Sequence, residues 1–218
     1  MTIKLRGGGP SFCEKQKEPC LYAEIFSNAS FPEALLALDR ELAREAKQRG
    51  CPRCEGVLDI AHYPRKPRGG PFALDGEQGR RLSLCCRREG CRLRVTPPSV
   101  RFLGRRVYLS IVVLLCGVLR QGPTTWRLDA LRRVVGADRR TLERWRRWWV
   151  EHVGGSRVFE IGRADFMPSP EAARLPLSLL DSFVGTACER AMHALSWLAG
   201  QFGSRFPTDG GGHAEHAR

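Results

Sequence analysis

The sequence predicts an α+β fold, mainly α: a small cysteine-clamped ribbon followed by a three-helix helix-turn-helix domain, with flanking N- and C-terminal helices. Three observations predict it. Two cysteine pairs, Cys51-x2-Cys54 and Cys86-x4-Cys91, bracket short strand-like runs separated by Pro and Gly. The stretch "LDALRRVVGADRRTLERWRRWW" has helical apolar spacing on both sides of Gly136. Arginine is concentrated over the same part of the chain: residues 80–148 hold 18 Arg, no Lys and four acids, Glu89, Asp129, Asp138 and Glu143.

Each element follows in order. Residues 1–50 form an N-terminal arm and a helix. Ser30 with Glu33 three positions on reads as a capping box, and Pro32 sits in the first turn. Phe31, Leu35, Leu38 and Leu42 then recur at helical spacing until Gly50 stops the helix. Residues 51–98 are the ribbon. "VLDIAHY" and "RRLSLCC" have strand character on either side of a Pro- and Gly-rich loop, and Pro97-Pro98 closes the segment. Residues 99–152 are the helix-turn-helix domain, with helices from Val107 to Arg120, from Thr125 to Val134 and from Asp138 to His152. Residues 153–206 hold a linker, to about position 172, and two C-terminal helices. In the second of these, Ala187, Ala191, Leu195, Leu198 and Phe202 form one apolar stripe, read as core packing. Residues 207–218 read as a disordered tail.

Length and composition set the bounds. A chain of 218 residues holds one or two modest domains. Hydrophobic residues are 42% and charged residues 27%, which is globular rather than disordered. The longest apolar run, Val107 to Leu119, suits a core helix and is too short for a membrane span. No apolar segment opens the chain, so a cytoplasmic location is expected, with no membrane partner. The formal net charge is +13, yet residues 80–148 alone carry +14 and the other 149 residues sum to −1. A GC-rich genome accounts for Arg outnumbering Lys but not for this clustering. A polyanion-binding region accounts for the clustering.

The nine cysteines, an odd number, argue against a disulfide framework and for metal-bound thiolates in a reduced compartment. Cys51 and Cys54 have the spacing that lets two thiolates chelate one tetrahedral Zn²⁺, and Gly56 eases the turn. The second pair is expected from Cys86 and Cys91, with Gly90 permitting the tight turn between them. Both the gap between the pairs and the second spacing are wider than the usual ribbon pattern. Cys85 competes with Cys86, because neighbours on a strand face opposite ways. Cys86 is favoured, which leaves Cys85 on the core face. His62 is read as a strand surface residue rather than a ligand. Cys13 and Cys20 are read as free, and Cys116 and Cys188 as buried hydrophobes. Four thiolates leave no open position, so Zn²⁺ is expected to be structural, stabilising the segment by roughly 10 kcal/mol or more.

In the helix-turn-helix, Leu128, Leu131 and Val135 precede Gly136, and Ala137, Leu142 and Trp145 follow it, as an inter-helix core requires. Arg132 departs from the small residue usual near the crossing. Asp138 is expected to cap the third helix. With Leu142, Trp145 and Trp149 inward, Arg139, Arg140, Glu143, Arg144, Arg146 and Arg147 face wholly or partly outward. Arginines early on such a helix can fork onto guanine in the major groove, while Arg146 and Arg147 meet phosphates. Trp148 is either core or a contact with the sugar-phosphate backbone. Arg101, Arg105 and Arg106, before the first helix, are expected to add phosphate contacts, each steepening the salt dependence.

The segments "GCPRCEGVLDIAHYPRKPRG" and "LSLCCRREGCRLRVTPPSVRFLGRRVY", with the helix-turn-helix after them, resemble a bacterial family of mobile-element-associated, transposase-like proteins. The resemblance covers about residues 30–150 and implies duplex DNA binding, with Cys51, Cys54, Cys86 and Cys91 as zinc ligands. Transposase catalysis needs three acids on a ribonuclease-H-like domain that binds two metal ions. Only 68 residues follow position 150, and they read as helical, so no enzymatic activity is expected. The reading is a DNA-binding accessory or remnant of a mobile element. The alternatives are a transcriptional regulator with the same chemistry and a non-catalytic subunit of a transposase or nuclease. A transposase, or self-association through the C-terminal helices, completes the expected partners.

Overall fold

Helix α1 (Phe31–Arg49) joins the two parts of the molecule. Its first half buries Phe31 and Leu35 in the large helical core, while Ala46 in its last turns packs against the cysteines. The expected Ser30–Glu33 capping box does not form: Ser30 is already helical in its dihedrals and makes no side-chain cap. Asn28 does the work instead, its Oδ1 accepting from the Ser30 N–H at 3.1 Å and from the Ser30 hydroxyl at 2.8 Å. Glu33 is then free to accept from Arg40. Gly50 ends the helix at φ 76°, a left-handed conformation that costs glycine little. The structure, a computed structural model, describes residues 24–25, 27–65, 76–103, 110–117 and 138–203.

The two strand-like runs each break into two pieces: β1 (Leu58–Ile60) and β2 (Tyr63–Pro64), then β3 (Arg80–Arg81) and β4 (Leu84–Cys86). With β5 (Arg94–Val95) they form an antiparallel three-stranded sheet ordered β1-β4-β5 and a β2-β3 ladder. The register sets Leu58 opposite Cys86 and Leu84 opposite both Ile60 and Val95. The break falls at His62. Its Nδ1 accepts from the Ser83 N–H at 3.1 Å, so an imidazole stands where a strand carbonyl would be.

Helix α2 (Ser110–Gly117) lies within the expected apolar helix, and Ile111 to Leu115 are all buried. Helix α3 (Arg139–Arg147) starts at Asp138, whose carboxylate accepts from the Thr141 N–H at 2.7 Å. It continues as a π-helical turn over Trp148–Val153. The stretch read as a linker is ordered. Helix α4 (Arg157–Gly162), capped by Ser156, buries Phe159, and two 3-10 turns, Arg163–Asp165 and Ala172–Arg174, follow. Periodicity misses α4 because six residues are too few to show it. Helices α5 (Leu177–Asp181) and α6 (Ala187–Phe202) close the fold, and the whole expected stripe of α6 is buried.

The buried side chains of α1, the 100–103 segment, α2, α3, α4, α5 and α6 make one continuous core. The C-terminal helices therefore belong to the same body as α2 and α3. A second, smaller core holds Ala46, Cys51, Leu58, Leu84 and Cys86. The second helix of the expected helix-turn-helix with Gly136, Arg105, Arg106, Cys13, Cys20, the Cys116 side chain and the tail lie outside the described residues.

Candidate functional site

The cysteine site is built by two tight turns at one end of the three-stranded sheet. The first turn closes with the Cys51 N–H donating to Gly56 O at 2.9 Å and the Glu55 N–H donating to Cys51 O at 2.8 Å. The second closes with the Cys91 N–H donating to Arg88 O at 3.1 Å. Cys86 comes from the end of β4, held by its N–H to Leu93 O. Each pair is followed by a left-handed non-glycine residue: Glu55 at φ 58° and Arg92 at φ 45°. Such conformations are unfavourable for L-residues and persist where surrounding contacts impose them.

Together the turns bring Cys51, Cys54, Cys86 and Cys91 into one cluster, with all four sulfurs within 4.8 Å of one another. Cys51 and Cys91 Sγ are 3.7 Å apart, and Cys54 and Cys86 Sγ are 3.5 Å apart. A tetrahedral ion with metal–sulfur bonds of about 2.3 Å needs sulfurs about 3.8 Å apart. A disulfide needs about 2.05 Å, so these contacts are not bonds between sulfurs. The cluster thus has the donor set and the spacing for a tetrathiolate metal. Gly56 fits the same picture for a reason beyond turn geometry. A Cβ there would sit 3.3 Å from the Cys54 sulfur and 3.4 Å from the Cys86 sulfur.

The cluster takes Cys86 rather than Cys85, as expected, but the faces of β4 are the reverse of those expected. Leu84 and Cys86 share the buried face of β4, and Cys85 is the half-exposed one. Its thiol donates weakly to Arg92 O. His62 stays with Ser83 and takes no part in the cluster.

The thiols differ electrostatically. Burial pushes Cys51 up, but the N–H groups of Arg53 and Cys54 aimed at its sulfur win and bring it down to about 7. Burial pushes Cys86 up to about 12, with the Arg88 N–H opposing it. Cys91 is pulled down by the Leu93 N–H but carried up by burial and by the Cys54 and Cys51 thiols. Four close sulfurs do not all ionise without a cation among them, and a divalent ion supplies one.

The arginines separate into two groups that sequence reasoning did not distinguish. Arg101 is a correction: it is buried, its Nε donating to Asp39 Oδ2 at 2.8 Å. Its remaining donors go to the carbonyls of Glu77, Gln78 and Arg80. Asp39 also accepts from the Ser99 hydroxyl at 2.6 Å and the Val100 N–H at 2.7 Å. Each Arg101 nitrogen donates inside the fold and the side chain is buried, so it is no phosphate contact. The buried acid at Asp39, on the otherwise apolar face of α1, is the signal that could have revealed this pair. Arg81 is also buried, donating to Pro97 O. On the ribbon surface Arg87 grips Asp59 with two hydrogen bonds, and Arg94 donates to Ala61 O and lies over the Tyr63 ring.

On α3 the inward residues are Leu142 and Trp145, with Trp148 and Trp149 on the π-helical turn. Trp148 is therefore core, in edge contact with Trp149 at 5.0 Å between ring centroids. The Trp149 indole N–H donates to Val113 O of α2 at 2.9 Å, which fixes α3 against α2. The outer side carries Arg139, Arg140, Glu143, Arg144 and Arg147, all exposed, with Arg146 half-buried. Arg139 pairs with Glu143 at 2.8 Å, and Arg147 with Glu151 at 3.8 Å. Asp138, Arg140, Thr141, Glu143, Arg144 and Arg147 line an open cleft of about 660 Å³.

Among the described residues no helix is long and apolar enough to cross a membrane. The chain matches no protein-family model, no curated protein and no solved structure.

Proposed function

We propose that this protein binds duplex DNA in a sequence-specific way, as an accessory of a mobile genetic element, and carries out no catalysis itself. In this reading Cys51, Cys54, Cys86 and Cys91 hold a structural zinc ion that stiffens a zinc ribbon. Helix α3 serves as the recognition helix of a helix-turn-helix, with Arg139, Arg140, Arg144, Arg146 and Arg147 turned to the duplex. Arg105 and Arg106 extend the same charge run along the sequence.

The observation that carries the reading is the division of α3. Its apolar side is anchored by Leu142 and Trp145, with Trp148 and Trp149 on the π-helical turn behind them, while Arg140, Arg144 and Arg147 line one cleft. A rigid helix that presents guanidiniums along one side suits a regular array of phosphates and base edges. Four of the acids after residue 150 are engaged in ion pairs or a helix cap. Glu160 and Glu171 pair with Arg163 and Arg174, Asp181 faces Arg174 and Arg190, and Glu189 completes the cap of α6.

The test is a titration of labelled duplex DNA with the full-length, zinc-loaded chain across a salt series. The reading expects affinity to fall by orders of magnitude over moderate salt increases, with a log–log slope of about −0.9 per phosphate neutralised. Arg147→Ala should reduce that slope by about 1. Equal affinity for structured RNA, or salt-independent binding, overturns the reading.

A further inference from the structure

The exposed side of α3 also restricts what the helix can read, and this inference rests on the duplex-binding reading above. We infer that the protein selects G·C-based sites, with Arg140 and Arg144 each engaging a guanine on the major-groove side. The outward side chains of Arg139–Arg147 are guanidiniums, one carboxylate and one half-buried threonine. No Asn or Gln stands anywhere between Asp138 and Val153, so the bidentate pairing that identifies adenine is absent from this helix. Arginine forks onto O6 and N7 of guanine, and a carboxylate such as Glu143 accepts from N4 of cytosine. A threonine hydroxyl meets either kind of pair and discriminates little.

Placement decides which arginines read bases. Arg140, Arg144 and Arg147 line one cleft, and Arg139 is not among its lining residues. Arg140 and Arg144 are one turn apart, a rise of about 6 Å, while base pairs stack about every 3.4 Å. Their guanines therefore fall one or two base pairs apart. Arg147 lies a further turn along, beyond the N-terminal residues that reach base edges in such helices, and meets phosphate.

The experiment is selection from a pool of short duplexes with a randomised centre, using the zinc-loaded full chain at physiological salt. The inference expects an enriched motif with two guanines one or two base pairs apart. Arg140→Gln should move the preference at one of those positions from guanine towards adenine, and Arg144→Gln should do so at the other. Each should lower the original guanine preference by about tenfold or more. Both substitutions are on exposed positions, and an unchanged melting curve separates readout from folding. A motif dominated by A·T pairs, or one that neither substitution changes, overturns the inference. Duplex binding without any motif overturns the inference and the sequence specificity of the reading above, and leaves only duplex binding standing. No duplex binding overturns both.

Discussion

The ribbon and the helical body hold themselves together by different means. The ribbon supplies four residues to the small core around the cysteines, two of them cysteines, with Ala46 of α1 as the fifth, and its strands are two or three residues long. So little apolar area falls short of the conformational entropy of ordering the segment. The helical body buries three tryptophans, Phe102, Phe159 and the aliphatic residues of six helices in one continuous core. The contrast is between a part with four clustered thiols and little apolar core and a part held by packing, with α1 and the Asp39–Arg101 pair joining them.

Four perturbations break or sharpen that contrast, in falling order of expected effect. A chelator added to the zinc-loaded chain, or Cys54→Ser, should strip hydrogen-exchange protection from the 51–95 amides while α6 stays protected. Equal loss in both parts, or none in either, refutes the division. Arg101→Ala should come next, because it leaves Asp39 buried without its cation. A loss of about 3–5 kcal/mol is expected in denaturant unfolding, with the salt slope of duplex binding unchanged per folded molecule. Gly56→Ala should then cost about 1–3 kcal/mol by crowding two sulfurs, visible in metal-competition titration as weaker zinc binding with the helical body intact. The smallest effect belongs to Thr186→Ala, which removes the cap of α6 and should cost about 1 kcal/mol in thermal unfolding. Acid acts on the same cap. The Thr186 N–H and then its hydroxyl hold the Glu189 carboxyl below its ordinary value. That contribution is present above the unfolded pKa and fades as pH falls through the lowered one.

What could be read without coordinates was local. Two thiols at x2 and x4 spacing announce a shared site because a short turn alone brings each pair together. The cap at Asp138, the inward line through Leu142, Trp145 and Trp149, and the stripe of α6 follow from helical period, which needs no distant partner. Less was legible where a competitor sat nearby in space. Asn28 displaced the Ser30–Glu33 cap, and α4 was too short to announce itself.

The amino-acid order by itself determined which residue types were at hand: four thiols in two pairs and an arginine run beside an apolar helix. Only the tertiary structure decided which of those arginines face solvent. Arg101 and Arg140 look alike in a charge count, yet one meets a carboxylate 62 positions earlier in the chain and the other lines an open cleft. The physical reason is range. Turns and helical faces are set within a few residues, whereas burial of a charge depends on whether a distant partner arrives to compensate its desolvation.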